Sequence, residues 1–211
     1  MSDIMRPISF ANLIGWSLRE YRESGRVFGL DKSKFYFTRT EGRYHTPFGD
    51  KIASAVGPAA GPHSQLAQNI IVSYLAGARF IELKTVQKMD GEVIRHAVAK
   101  PCINAEDECY NCEWSTELTV EEAFDEYIKA WIAIKVLAVE FGISDGCDFA
   151  FNMSVGYDLE GIKLPKMDAF IEGLKDASDT PVFKESIAFL RRHLRLFERV
   201  DEAVIDAIPP V

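Results

Sequence analysis

The sequence lacks any apolar run that approaches the roughly 20 consecutive residues a membrane-spanning helix needs. Its start, MSDIMRPISF, also lacks the basic segment followed by an apolar segment that marks a secretory signal. We therefore expect a cytoplasmic protein with no membrane partner. The chain has 211 residues, of which 47% are hydrophobic, and this is enough for one globular domain with a real core.

Cysteine is scarce, and its spacing does not match the common metal or redox motifs. There are four cysteines, and Cys109 and Cys112 form a C-x-x-C pair within a long acidic stretch. A structural zinc site would need a second pair or two suitably spaced histidines, and neither is present. We expect reduced, incidental cysteines and no metal ligand. A metal site that uses Cys102, Cys109 and Cys112 is the alternative, and elemental analysis for zinc would test it.

Positive charge is in short supply overall, because the formal net charge is −8. Such a balance argues against nonspecific binding to nucleic acid. The charge is unevenly distributed, at +5 over residues 1–100 and −13 over residues 101–211. Two interpretations stay open: solvated helix surfaces, or a basic half that faces an anionic ligand.

The first half of the chain predicts a helix, a hairpin and a β-α-β unit. Ser9 caps a helix that ends at Gly25. Apolar spacing and turn residues predict the later elements. The strands KFYF (35–38) and RYHTPF (43–48) would form a hairpin around the turn Glu41-Gly42. The β-α-β unit would comprise strand KIASAV (51–56), helix 64–76 and strand RFIELKTV (79–86). Strand, helix and strand in this order predict a parallel pair.

The second half continues the alternation after a long loop at 87–118. Thr119 and Glu122 form a capping box that opens a strong helix ending at Gly142. A strand at 149–156 follows, and then helices that start at Pro165 and at Thr180-Pro181, the second of which runs through Phe197. This order predicts an α/β fold with a parallel sheet. Three strands do not close a barrel, so the chain is either a small open α/β domain or the first part of a (β/α)8 barrel.

Ligands of α/β folds bind at the carboxyl ends of the strands. The small residues Gly57, Pro58, Ala59, Ala60 and Gly61 follow the first predicted strand, and they would let a flat ligand lie against the backbone. Polar residues end the next two strands: Lys84, Thr85, Asn152 and Ser154. A flat wall beside a cation suits a flavin. The alternative is a tight turn and an ordinary surface lysine.

Several separated blocks resemble known flavoenzymes. The pattern TPFGDKIASAVGPAAG…GARFIELKTV resembles the start of the FMN barrel in dihydroorotate and dihydropyrimidine dehydrogenases, and YNCEWSTEL resembles the segment that supplies a substrate-binding asparagine there. A closer resemblance, over about residues 1–178, is to the N-terminal region of the "putative selenate reductase" family of large flavin and iron–sulfur oxidoreductases. It rests on GPAAGPHSQLAQNI, FIELKTVQ, KPCINAEDECYN, EWSTELT and FNMSVGYDLEGIK.

The resemblance implies a partial (β/α)8 TIM-type barrel over residues 51–211, comprising the first three or so β/α units. An N-terminal helix and hairpin in residues 1–50 would precede it. The loop 57–61 would line the FMN ring, and Lys84 and Thr85 would bond the flavin. Asn111 would face the substrate, and Asn152 and Ser154 would lie under the cofactor site. Nothing in the sequence matches the family's catalytic-base loop, so no catalytic residue is assigned.

The predicted function is therefore the N-terminal part of an FMN-dependent oxidoreductase. It would pass electrons between NAD(P)H or iron–sulfur partners and a small substrate, together with the remaining barrel and electron-transfer domains or subunits. We expect the 211 residues alone to be inactive. We also expect them to self-associate as a homo-oligomer through unpaired strand edges. The alternative is a complete small α/β ligand-binding or protein-interaction module, with the acidic loop 102–122 as its partner surface.

Overall fold

The computed structural model describes residues 6–38, 44–84, 118–154 and 159–210, and its elements alternate in type along the chain. Short turns of 3-10 helix lie at Lys32–Lys34, Pro62–Gln65 and Leu194–Leu196. The helices and strands of these ranges are α1 (Phe10–Ser24), β1 (Arg26–Val27), β2 (Leu30–Asp31), β3 (Tyr44–His45), β4 (Lys51–Ile52), α2 (Ala67–Leu75), β5 (Phe80–Lys84), α3 (Val120–Glu140), β6 (Ala150–Ser154), α4 (Leu159–Ile162), α5 (Pro165–Lys175), α6 (Pro181–Arg192) and α7 (Glu202–Asp206).

Within the described residues the strands form three separate pairs. β5 and β6 pair in parallel, with Phe80 opposite Ala150 and Lys84 opposite Ser154. β1 pairs antiparallel with β2, and β3 pairs antiparallel with β4. The mixed α/β architecture is therefore confirmed, as is a parallel pair made by β5 and β6, the two longest strands of the described ranges. Within the described ranges the strands do not close into a barrel.

Helix α3 is the centre of the core. It is buried along most of its length and packs against α2, α5 and α6, because its apolar residues lie on more than one side. The predicted capping box opens it: the Thr119 hydroxyl accepts from the Glu122 N–H, and the Glu122 carboxylate accepts from the Thr119 N–H. The prediction of a strong helix that ends next to Gly142 is confirmed.

The predicted hairpin of KFYF and RYHTPF is wrong. Residues 35–38 are not a strand, because their backbone groups bond to helix ends instead: the Tyr36 N–H donates to the Leu75 carbonyl and the Thr38 N–H to the Ile143 carbonyl. Tyr44 and His45 pair with β4 across a tight turn at 46–50. The predicted turn at Glu41-Gly42 lies outside the described residues.

The strand predicted over 51–56 is only two residues long, and the predicted parallel pair of 51–56 with 79–86 is wrong. β4 ends at Ile52, and the chain beyond it makes isolated bonds to other segments. The Ser54 hydroxyl donates to the Gly77 carbonyl, and the Ala53 N–H donates to the Asp148 carbonyl. Serine side chains that bond to backbone in this way compete with a regular ladder.

The remaining helix predictions are confirmed with shifted ends. Helix α1 is capped by Ser9 and ends at Gly25, whose φ of 67° is the left-handed conformation that glycine adopts readily. The helix predicted for 64–76 is the 3-10 turn Pro62–Gln65 followed by α2, and α6 stops at Arg192. Helix α7 was not predicted. The long loop 87–118 lies almost wholly outside the described residues. No described helix is both long and apolar enough to cross a membrane.

Candidate functional site

The parallel pair β5–β6 has one apolar and one polar face. Ile81 and Leu83 point into the hydrophobic core with the helices. Side chains alternate along a strand, so Glu82 and Lys84 point to the opposite face. The register places Asn152 opposite Glu82, and thus on that same polar face. Charged and amide side chains therefore gather near the carboxyl end of the pair, where ligands of parallel sheets bind.

Lys84 ends β5 and is fixed by helix α3. Its side chain is only 8% exposed. Its carbonyl oxygen accepts a hydrogen bond of 2.7 Å from the hydroxyl of Tyr127, which is itself buried on α3. The position of the lysine backbone is thus set by a buried contact as well as by the strand ladder.

The loop 57–61 runs alongside β5. At its start the Val56 carbonyl accepts from the N–H groups of Arg79 and Phe80, at 2.9 and 3.3 Å. A Cβ added to Gly57 would lie 1.4 Å from the Phe80 carbonyl oxygen. Position 57 therefore requires glycine because the loop approaches the strand closely. Contact with a ligand is not needed to explain this residue.

The polar face and the loop are joined by Glu82. Its carboxylate accepts from the Ala60 N–H at 3.3 Å. At the end of the loop, the Gly61 N–H donates to the Ser64 hydroxyl at 3.0 Å, and that hydroxyl donates back to the Gly61 carbonyl. These bonds hold small residues beside Glu82, two residues before Lys84 on the same face of β5. The arrangement can offer a flat, nearly side-chain-free wall next to a cation.

Of the described members of the predicted site, the loop 57–61 bonds to Glu82, which precedes Lys84 by two residues on β5, and Asn152 lies across from Glu82. Ser154 lies opposite Lys84 in backbone register. Thr85 and Asn111 lie outside the described residues, as do Cys102, Cys109 and Cys112. The roles of all these residues stay predictions. Within the described ranges, no group of three or more His, Cys, Asp or Glu is arranged to hold a metal ion.

Sequence reasoning missed Glu82 and Tyr127. The alternation in FIELK could have revealed Glu82, because it puts two charged residues on one face of a short strand. Tyr127 had no such signal, since it occupies a regular core position of a buried helix.

A second polar cluster lies at the amino ends of the same strands. The fully buried Arg79 pairs with Asp148 at 2.7 Å. The carboxylate of Asp148 also accepts from the hydroxyls of Thr38, Tyr74 and Ser144, each at 2.8 Å. Burial alone would raise the pKa of Asp148, but the Arg79 charge and these hydroxyls outweigh it and hold the pKa below its usual value. Every member is bonded within the cluster, as expected for a structural network.

Known proteins resemble this chain over nearly all of its length. The family model described as "Oxidoreductase YgfK, N-terminal TIM-barrel domain" matches residues 28–211. Two curated relatives, each called "Putative oxidoreductase YgfK", come from Escherichia coli K12 and Escherichia coli O157:H7. Each is 51% identical over 204 residues, which cover 92% of this chain. The chain spans only 19% of the length of these relatives. No solved structure matches.

Proposed function

The chain belongs to the family of YgfK-type oxidoreductase N-terminal TIM-barrel domains, and we propose that it carries the ring-binding part of an FMN site. The observation that carries the proposal is the polar face at the carboxyl end of β5–β6, with the loop 57–61 beside it. When bound, FMN would supply the electron-transfer chemistry that the protein side chains cannot.

The residues present fit a flavin ring in shape and charge. The surface of the loop is formed by Pro58, Ala59 and Ala60, whose small or rigid side chains leave a planar group free to approach. The Ala60 N–H is engaged by Glu82, so contact between the loop and the ring would be mainly apolar. Lys84 would place a positive charge beside the ring and favour an electron-rich, anionic group there. Asn152 would add an amide donor and acceptor from the neighbouring strand.

The wider activity is a proposal of the same kind. The protein would pass electrons between NAD(P)H or iron–sulfur partners and a small substrate, with Asn111 facing that substrate. Because the chain spans 19% of its relatives, we place the catalytic base, the phosphate-binding loops and the electron partners in parts of a full-length protein outside these 211 residues. The cytoplasmic location and the division at residue 50 stay predictions.

Titration with FMN, followed by quenching of its fluorescence, tests the proposal. The 211-residue chain and a protein of the relatives' full length would be titrated in parallel. We expect binding by the longer protein and a loss of about 10- to 100-fold in affinity for Lys84→Ala, the worth of one charge-assisted hydrogen bond. The matched control is Lys163→Ala, which removes an exposed lysine and should leave the affinity unchanged.

The contrary results are equally definite. Equal affinity for the wild type and Lys84→Ala would remove Lys84 from the flavin site. No binding of FMN by either protein would overturn the flavin proposal and favour the interaction-module interpretation.

A further inference from the structure

Lys135 is a buried lysine near the amino end of the β5–β6 pair, opposite the end that carries Lys84. It lies on α3 and is 7% exposed. Among the described residues its amine has neither a hydrogen bond nor a carboxylate within ion-pair distance. It stands instead 4.3 Å from the ring centroid of Trp131 and 4.7 Å from that of Phe149. Buried lysines are usually paired, so this amine calls for an explanation.

The loop that covers Lys135 is built to lie directly on the helix. Gly146 has a φ of 79°, and a Cβ added there would be 2.9 Å from the Lys135 carbonyl oxygen. Two side chains hold the loop in this shape: the Ser144 hydroxyl accepts from the Gly146 N–H at 3.0 Å, and the Asp145 carboxylate accepts from the Cys147 N–H at 2.8 Å.

Lys135 lines a cavity of about 480 Å³. The covering loop forms one wall, with Cys147 and Asp145, and helix α7 forms another, with Ala203 and Val204. This volume falls within the range of small-molecule sites, and the α7 wall is apolar apart from Asp201 at its amino end. Lys84, the other buried lysine of the β5–β6 region, lies at the carboxyl end of the sheet, whereas this cavity adjoins the segment before β6.

The electrostatics at this position shift the amine toward its uncharged form, relative to an exposed lysine. Burial lowers the pKa of Lys135, and the nearby Cys147, Asp148 and Asp145 oppose that shift without cancelling it. From the α7 side, Asp201 also lines the cavity. The charge of Asp148 is already engaged by Arg79. A larger neutral fraction makes a lysine a better nucleophile than its exposed counterparts.

We propose that Lys135 is a nucleophilic lysine that captures small uncharged aldehydes as an imine in this cavity. The amine nitrogen would form a bond to the carbonyl carbon, and the carbonyl oxygen would take up a proton. That first proton comes from the attacking amine, and the oxygen then leaves as water with the second amine proton, which leaves the C=N bond. No oxidant or reductant is needed. Asp145 and Asp201 disfavour an anionic substrate, and the apolar wall favours an alkyl body.

Reductive trapping tests this proposal in the intact protein. The protein would be treated briefly with propanal and sodium cyanoborohydride at neutral pH, digested and analysed by peptide mass spectrometry. We expect Lys135 to be alkylated several-fold faster than Lys163, an exposed lysine that serves as the internal reference. In urea the two rates should become equal. A rate at Lys135 no higher than that at Lys163 under native conditions would overturn the proposal.

Two further comparisons test whether the cavity, and not only the reactivity of the amine, determines which aldehydes react with Lys135. Val204→Trp would fill the cavity and should slow alkylation at Lys135 while leaving Lys163 unchanged. Unaltered alkylation in that variant would contradict entry through the cavity. Glyoxylate in place of propanal should label Lys135 less, relative to Lys163, because its carboxylate meets Asp145 and Asp201. Preferential labelling by glyoxylate would refute the assigned substrate class. Neither comparison depends on FMN.

Discussion

Substitution of Asp148 by Asn should remove a large part of the stability of the fold. The carboxylate accepts four hydrogen bonds, from Arg79, Thr38, Tyr74 and Ser144, and it is 5% exposed. An asparagine amide has one acceptor oxygen, so some donors would lose their partner and the Arg79 charge would stay buried without a counter-ion. Removing one member of a buried ion pair lowers the free energy of unfolding by about 3–5 kcal/mol.

Urea unfolding followed by circular dichroism would measure this cost. With a slope of about 2 kcal/mol per molar urea, a loss of about 4 kcal/mol moves the midpoint down by about 2 M. The matched control is Asp206→Asn, because Asp206 pairs with Arg191 at the same distance of 2.7 Å but both side chains are more than half exposed. An exposed pair contributes about 0–1 kcal/mol. Similar losses for the two variants would refute the structural role assigned to the buried pair.

The pH dependence gives a second readout of the same residue. The native pKa of Asp148 is held below its usual value. A carboxylate with a lowered native pKa adds stability above its unfolded pKa of about 3.9, and this stability is lost as the pH falls through the native pKa. The gap in unfolding free energy between the wild type and Asp148→Asn should therefore be full near neutral pH and should narrow in acid. A gap that widens in acid would contradict the assigned shift.

Two other predictions concern the loop 57–61 and the central helix. Gly57→Ala should lower the free energy of unfolding by about 1–3 kcal/mol, because the added Cβ would meet the Phe80 carbonyl. Gly15→Ala in α1, where nothing lies within 4 Å of the added Cβ, should raise it by up to about 1 kcal/mol. The urea midpoints of the two variants must therefore move in opposite directions. Thr119→Ala should lower the free energy of unfolding by about 1 kcal/mol because it removes the hydroxyl that caps α3. Thr119→Ser keeps a hydroxyl and should retain most of that stability. Equal losses for the alanine and serine variants would rule out the capping hydroxyl as the cause.

The sequence predicted those parts of the fold whose signals are local. Helix α3 has its capping box and long apolar pattern within its own residues, and β5 and β6 are apolar runs in an α/β order. Residues 35–38 also looked like a strand, because aromatic residues favour extended backbone. Their partners, the carbonyls of Leu75 and Ile143, are distant in sequence. Contacts of this kind leave no trace in local periodicity.

The candidate site was predictable to the same degree. The position of Lys84 at the end of a strand and the small residues at 57–61 were evident from the order of elements. The contact of Ala60 with Glu82 was not, because it depends on how closely the loop approaches β5. Gly57 shows the difference most clearly. Its small size suggested a ligand surface, but the Phe80 carbonyl already accounts for it.

The buried pair and the proposed flavin site are linked by the register of β5 and β6. Arg79 precedes the first residue of β5, and Asp148 lies two residues before β6, so their contact fixes the two strands relative to each other at the amino end. A slip of one residue in that register would turn Asn152 away from the face that carries Glu82 and Lys84. The ion pair is remote from any ligand at the carboxyl end. Its contribution to binding would be to keep the polar side chains of both strands on one face.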